Sequence, residues 1–149
     1  IKEIQNLISI KPTKNLSNKL EYIENSRKIR LDDKNIYDYV EYSNFEGIEY
    51  WDVGDITDMS ALFSFTPNFN IDISRWNVSR VEDMTWMFNG CTYFNQDISG
   101  WDVSNVCDMK YMFKDCINFH QDLGNWNVSN VYDIDDVLPK HIVIPKSWE

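Results

Sequence analysis

The residues of this chain with the most chemistry to offer are carboxylates, and they come in rows. Asp58, Asp83, Asp108 and Asp133 recur every 25 positions, and Asp72, Asp97 and Asp122 form a second row with the same period. Paired carboxylates can serve as general acid and base or hold a cation. A residue that returns once per unit is better explained by what each unit needs to fold, such as a helix cap or a loop hydrogen bond. Calcium asks for about six to eight converging oxygens, and no glycine–aspartate calcium repeat is present. The cysteines (Cys91, Cys107, Cys116) form no C-x-x-C pair, and His120 and His141 lie far apart in sequence. Spacing therefore supports neither a zinc site nor a Cys/His nucleophile. No nucleophile–base pair or phosphate loop stands out. The expectation is a chain that is not an enzyme, with no metal and no cofactor.

Behind these rows lies a repeat. WDVGDITDMSALF begins at Trp51, WNVSRVEDMTWMF at Trp76, WDVSNVCDMKYMF at Trp101 and WNVSNVYDIDDVL at Trp126. The tails match as well: FNIDIS from Phe69, FNQDIS from Phe94 and FHQDLG from Phe119. Within a unit, Trp101-Asp102-Val103 alternates as a strand does. Val106, Met109, Met112, Phe113 and Cys116 then follow at the spacing of one helical face. Asn105 with Asp108, Asp55 with Asp58, and Asn130 with Asp133 read as N-caps with an acidic partner. Arg80 makes the second cap weaker.

One strand and one short helix cannot bury a face alone, whereas stacked copies share a continuous core. The predicted fold is α/β: a short right-handed leucine-rich-repeat-like solenoid. It has one parallel strand and one short helix per 25-residue repeat, and an N-terminal helical cap. Strands about 4.8 Å apart would align the tryptophans, the valines from Val53 to Val128, and Phe69, Phe94 and Phe119 as ladders. The chain divides into residues 1–50 (N-terminal segment and cap), 51–138 (four repeats, the last partial) and 139–149 (C-terminal cap). Residues 33–43 read as the capping helix, with Asp33 as N-cap. Residues 1–32 fit either a hairpin or a helix. Pro139 should stop the last helix, and residues 141–144 (HIVI) should supply a closing strand.

Composition narrows the classes. Hydrophobic residues make up 43% and aromatics 15%, which is not a disordered composition. No apolar stretch approaches the roughly 20 residues of a membrane helix. Net charge is −10. Residues 1–50 carry 8 Lys/Arg against 9 Asp/Glu, and residues 51–149 carry 6 against 15. That acidity repels phosphate backbones, so a nucleic-acid partner is not expected.

The units WDVSNVCDMKYMFKDCINFHQDLG and WNVSRVEDMTWMFNGCTYFNQDIS resemble the BspA-like leucine-rich-repeat surface proteins, in the branch first noticed as mycoplasma proteins of unknown function. The likeness covers residues 51–138, with a lead-in from about Asp33. It implies a leucine-rich-repeat arc with a parallel sheet on its concave side. It implies surface display in bacteria, with further members in large DNA viruses and protists, and no catalytic residue. Thr66, Ile71 and His120 depart from the pattern.

Two surfaces are candidates for a partner. Asp52, Asn77, Asp102 and Asn127 lie between inward-facing tryptophan and valine, and should form a polar row on the concave sheet. Trp86 breaks the period at an expected exposed site, and Tyr93 and Tyr111 also depart from the repeat. The ladder tryptophans read as core. Cys91 and Cys116 read as buried free thiols, with a disulfide between neighbouring coils as the alternative, and Cys107 as exposed. The Asn-x-Ser triplets at Asn77 and Asn127 belong to the repeat and read as structural, not as glycan acceptors. The expected function is non-catalytic protein–protein recognition on a cell or virion surface. A carbohydrate-binding or adhesion module and an architectural role in a larger particle are the alternatives.

Overall fold

Buried N–H and C=O groups need partners, so their pairing decides what a unit can become. The computed structural model describes residues 30–43, 45 and 47–149. In the segment expected to be helical, N–H groups alternate between two destinations. Ala61, Phe63 and Phe65 donate to Thr85, Met87 and Asn89 of the next unit. Leu62, Ser64 and Thr66 donate back to Met59, Ala61 and Phe63 of their own unit. The second unit repeats this: Trp86, Phe88 and Gly90 reach Lys110, Met112 and Lys114, while Met87, Asn89 and Cys91 return to Met84, Trp86 and Phe88.

An α-helix cannot alternate in this way, because all its N–H groups run along the axis to the residue four back. The alternation is achieved by left-handed residues. Ala61, Trp86, Tyr111 and Asp136 have φ of 53–61°, and Phe65, Gly90 and Asp115 have φ of 58–74°. Each reverses the chain after one turn, so consecutive turns replace the helix. Val106, Met109, Met112, Phe113 and Cys116 are nevertheless all buried. Their side chains go where helical spacing would send them, on a different backbone.

The strand is absent for a related reason. The N–H groups of Trp76 and Trp101 bond to Ile73 and Ile98, and those of Val81 and Val106 bond to Val78 and Val103. These local turns use groups that a sheet ladder would need. Among the described residues only isolated parallel bridges occur, joining Arg30 to Asp52, Asp58 to Asp83 and Asp83 to Asp108. The α/β leucine-rich-repeat-like solenoid with a strand and a helix in every repeat is therefore overturned. Among the described residues there is one short α-helix and no strand. The units are turn-built and tied to one another by single backbone bonds.

That helix, α1 (Ile36–Ser43), lies where the cap was expected, but Asp33 is not its N-cap. The Asp33 carboxylate instead accepts the Thr57 N–H and hydroxyl at 2.7 and 2.6 Å and the Asp58 N–H at 3.1 Å. The Asp32 carbonyl receives the N–H groups of Asn35 and Ile36. Leu31 is buried in phase with Ile56, Val81 and Val106. Ile36 is in phase with Ala61, Trp86 and Tyr111, and a β-branched residue resists the left-handed region that those adopt. The chain there stays right-handed and winds into α1. The hairpin or helix expected in residues 1–32 falls, up to residue 29, outside the described residues.

The core is a set of aromatic columns. Phe63, Phe88 and Phe113 follow one another at 5.6 Å between centroids, and Phe69, Phe94 and Phe119 at 5.9 Å. The two columns face each other at 3.9–4.4 Å. Trp51, Trp76, Trp101 and Trp126 are buried beside them. The indole N–H of Trp76, Trp101 and Trp126 donates to the carbonyl of Ile48, Ile73 and Ile98, 28 residues earlier in each case, at 2.9–3.2 Å. No closing strand forms at residues 141–144, and no helix precedes Pro139 for it to stop. A 3-10 helix, Lys146–Trp148, instead lays Trp148 on Trp126 at 6.3 Å and 12°, with its N–H on Leu123.

Cys91 and Cys116 are buried and free, and their thiols donate to the carbonyls of Phe63 and Phe88 at 3.0 Å. Burial pushes the Cys91 thiol up to about 12. It pushes Cys116 up further, with Cys91 itself adding to the effect. Cys107 is half-buried, less open than its position in the repeat suggested.

Two outcomes follow. Trp101→Ala should lower stability by about 3–5 kcal/mol, and Trp148→Ala should cost less, because Trp148 closes the column from one side only. Urea midpoints of both variants test this, and equal losses would place Trp148 inside the column. A thiol reagent should modify Cys107 in the native protein and reach Cys91 and Cys116 only on unfolding. Counting modified thiols before and after adding denaturant decides it.

Candidate functional site: an aromatic and lysine face on the repeat turns

Asp52, Asn77, Asp102 and Asn127 are all exposed, but there is no concave sheet for them to line. Each side-chain oxygen accepts the N–H two residues on, from Gly54, Ser79, Ser104 and Ser129 at 3.1–3.2 Å. This is the Asx turn, in which a short carboxylate or amide replaces a backbone acceptor. The carboxylate rows do the same. Asp58, Asp83, Asp108 and Asp133 accept from Ser60, Thr85, Lys110 and Asp135. Asp72, Asp97 and Asp122 accept from Ser74, Ser99 and Gly124. Hydroxyls of Ser74, Ser99 and Ser104, followed by the same residues' N–H groups, hold Asp72, Asp97 and Asp102 below the usual carboxylate range.

The expected capping residues bind between units instead. The Asn105 and Asn130 amides donate to Ser79 and Ser104 carbonyls at 2.6 Å. In the same phase, Asp55 pairs with Arg30 and with Arg80. Gln96 and Gln121 donate to Asn70 and Asn95. The recurring polar residues are thus engaged in the fold.

Side chains that escape this duty gather on the turn face. Trp86 does not break the period: it shares one unit position with Tyr111, where the outer units carry Ala61 and Asp136. The two rings are half-buried and lie 4.7 Å apart at 51°. The Lys114 ammonium sits 5.4 Å from the Trp86 ring and 5.3 Å from Tyr111, and Lys110 lies 5.2 Å from Tyr111. A cavity of about 390 Å³ adjoins Tyr111 and Lys114, and Asp115, Ile117, Lys140 and His141 share its lining. Along the same turns Phe65 is 78% exposed, Tyr93 58% and Ile117 65%.

Sequence reasoning found Trp86, Tyr93 and Tyr111 but passed over Phe65, Ile117 and the lysines. A signal existed: Lys110, Lys114 and Lys140 are half of the Lys/Arg residues in 51–149. Among the described residues, no helix is long and apolar enough to cross a membrane.

Asp72, Asp97 and Asp102 set an acid limit on stability. Because their folded pKa values are depressed, their contribution is present above the unfolded value and lost as pH falls through the folded one. Stability should therefore drop below about pH 4. Asn serves the same turn at Asn77 and Asn127, so Asp72→Asn, Asp97→Asn and Asp102→Asn combined should keep the fold and flatten that decline. Urea midpoints between pH 7 and pH 3 measure it; parallel curves for variant and wild type would contradict it.

Neither the curated proteins nor the solved structures hold a match to this sequence. A family model described as "Mycoplasma protein of unknown function, DUF285" matches residues 33–144. That stretch takes in α1, all four units and the turns after them, well over half of the chain. The chain belongs to this mycoplasma-type DUF285 family.

Proposed function

We propose that the chain is a non-catalytic protein–protein recognition module whose contact surface is the turn face. The observation that carries this reading is the exposure of Phe65, Tyr93 and Ile117 at turn positions where successive units differ. The recurring polar groups, by contrast, are spent on turns and rungs. Large apolar side chains held in the open on a rigid frame are the usual anchors of a partner. Asp52, Asn77, Asp102 and Asn127 are the lesser candidates, because their acceptors already serve Asx turns. The finer resemblance, to BspA-like surface proteins, supports display on a cell or virion surface; the strand-and-helix unit of that group forms no part of the proposal. A carbohydrate-binding or adhesion module is the second reading, favoured by the tilted Trp86–Tyr111 pair between lysines.

The combined variant Phe65→Asn, Tyr93→Ser and Ile117→Ser should remain folded, since Asn suits the left-handed backbone at Phe65. It should lose a stoichiometric protein partner that wild type retains from extracts of its own cells or particles. Retention of that partner at unchanged affinity, with an unchanged melting temperature, would move the contact off this face.

A further inference from the structure

We propose that His120 and His141 together form a site for a borderline divalent cation of the zinc and nickel class, with water completing the ion's shell. The site is independent of which partner the turn face takes.

The chain has two histidines, 21 residues apart in sequence. The fold brings their rings to 5.0 Å between centroids, tilted by 46°, and both residues are exposed. The repeat leaves position 120 without a duty. Asn70 and Asn95 use their side-chain oxygens to accept the backbone N–H groups of Asn95 and His120, one unit further on. The next residue in that series is Pro145, which has no N–H to donate. An asparagine at 120 would have no such rung to serve, and a histidine stands there instead.

Each ring is held by a backbone carbonyl. Nδ1 of His120 lies 2.8 Å from the Asn118 carbonyl, and Nε2 of His141 lies 2.9 Å from the Phe119 carbonyl. A carbonyl can only accept, so in both cases the bonded ring nitrogen carries the hydrogen. In the neutral rings this leaves the lone pairs on Nε2 of His120 and Nδ1 of His141. Donation of the second ring N–H to a backbone carbonyl is how histidine ligands of metals are commonly fixed in tautomer and orientation.

The separation of the rings fits a shared ion. A zinc-like cation sits about 2.0–2.1 Å from the ligating nitrogen, and so about 3.2 Å from the ring centre. Two rings that subtend a right to a tetrahedral angle at the ion then have centres about 4.5–5.2 Å apart. The observed 5.0 Å falls within that span.

The donors select the class of ion. Imidazole nitrogen suits zinc, nickel and copper, whereas magnesium and calcium take oxygen. Residues 51–149 carry 6 Lys/Arg against 15 Asp/Glu, a field that draws cations to the surface. In the cavity beside His141, Lys114 and Lys140 are balanced by Asp115 and Asp136. Cys116 also lines it, but its thiol is buried and donates to the Phe88 carbonyl. Among the described residues no group of three or more His, Cys, Asp or Glu side chains is placed to hold a metal. The protein thus supplies two ligands, and the open space beside His141 has room for water. Structural zinc sites are closed by four protein ligands, so this one exchanges its ion.

Titration of the full chain with Zn²⁺ and with Ni²⁺, read by calorimetry and, for Zn²⁺, by NMR of the histidine rings, tests the proposal. One ion should bind per chain, and both ring signals should move together. Mg²⁺ in about a hundredfold excess should not displace Zn²⁺. His120→Asn, which restores the residue found at Asn70 and Asn95, should weaken Zn²⁺ binding by about tenfold or more, and so should His141→Gln. The melting temperature of the metal-free His120→Asn protein should match wild type. Cys107→Ser should leave binding unchanged. Absence of saturable binding, or movement of one histidine ring alone, overturns the site. Full-strength binding by a folded His120→Asn variant does so too, and loss of binding in Cys107→Ser would place the ion at that thiol instead.

Discussion

The alternation of backbone N–H groups between a unit and its neighbour is the constraint on which the rest of the structure depends. Half of the donors in residues 59–66 and 84–91 close turns, and the other half reach the next unit. That division needs left-handed residues at fixed places, which is why Ala61, Trp86, Tyr111 and Asp136 share a conformation despite having little chemistry in common. It also fixes the length of the unit. A rung whose every second N–H meets a carbonyl 24 residues on cannot absorb an insertion without losing those bonds, and the first three units hold 25 residues without exception. At the fourth the offset changes at one bond, since Phe113 still pairs with Val137, 24 residues ahead. Tyr111 pairs with Asp136, 25 residues ahead, whereas Ala61 and Trp86 pair 24 ahead.

Once the backbone is built from turns, the polar repeat residues acquire their roles. A chain with so many reversals leaves N–H groups aimed away from any regular ladder, and buried or half-buried donors must find acceptors. Asp and Asn at short range provide them. The rows that look like catalytic carboxylates or a recognition stripe are thereby the parts that make a turn possible. The consequence for function is an inversion of the usual signal. In a repeat of this kind, recurrence marks the fold, and a contact surface is to be sought where recurrence lapses, as at Phe65, Gly90 and Asp115 or at Asn68, Tyr93 and Asn118.

This explains which features were legible in advance. The period, the inward tryptophans, valines and phenylalanines, and the buried thiols follow from spacing alone, because burial depends on where a side chain points. The backbone was not legible in the same way. Apolar residues three and four apart describe a helical face, and they also describe successive turns reversed at a left-handed residue. Neither Trp86 nor Tyr111 advertises a positive φ, as a glycine would. Alternation at Trp101-Asp102-Val103 likewise fits a strand or a turn whose Asp caps Ser104. Of the turn face, the aromatics were visible as departures, while Lys114 and Lys140 become neighbours only when units three and four are stacked. Trp148 escaped notice for a simpler reason: it follows Trp126 by 22 residues, out of phase with the column it completes.

The ends of the columns show why a cavity opens where it does. At the N-terminal end Phe45 meets Phe63 and Phe69 edge-on, and Tyr39 meets Trp51 in the same way. An edge-to-face ring covers a stack while offering no parallel face for another ring. At the C-terminal end only the tryptophan column receives a ring, from Trp148. In phase with Phe113 and Phe119 stand Leu138 and Ile144, aliphatic and only partly buried. Branched side chains cannot tile a phenyl face as another phenyl does, so the last rung fits less tightly against the third. Leu138 and Pro139 then become lining, and the space beside Tyr111 and Lys114 stays open. The cavity is thus a product of how the phenylalanine columns stop, and Lys114 and Lys140 stand in its lining.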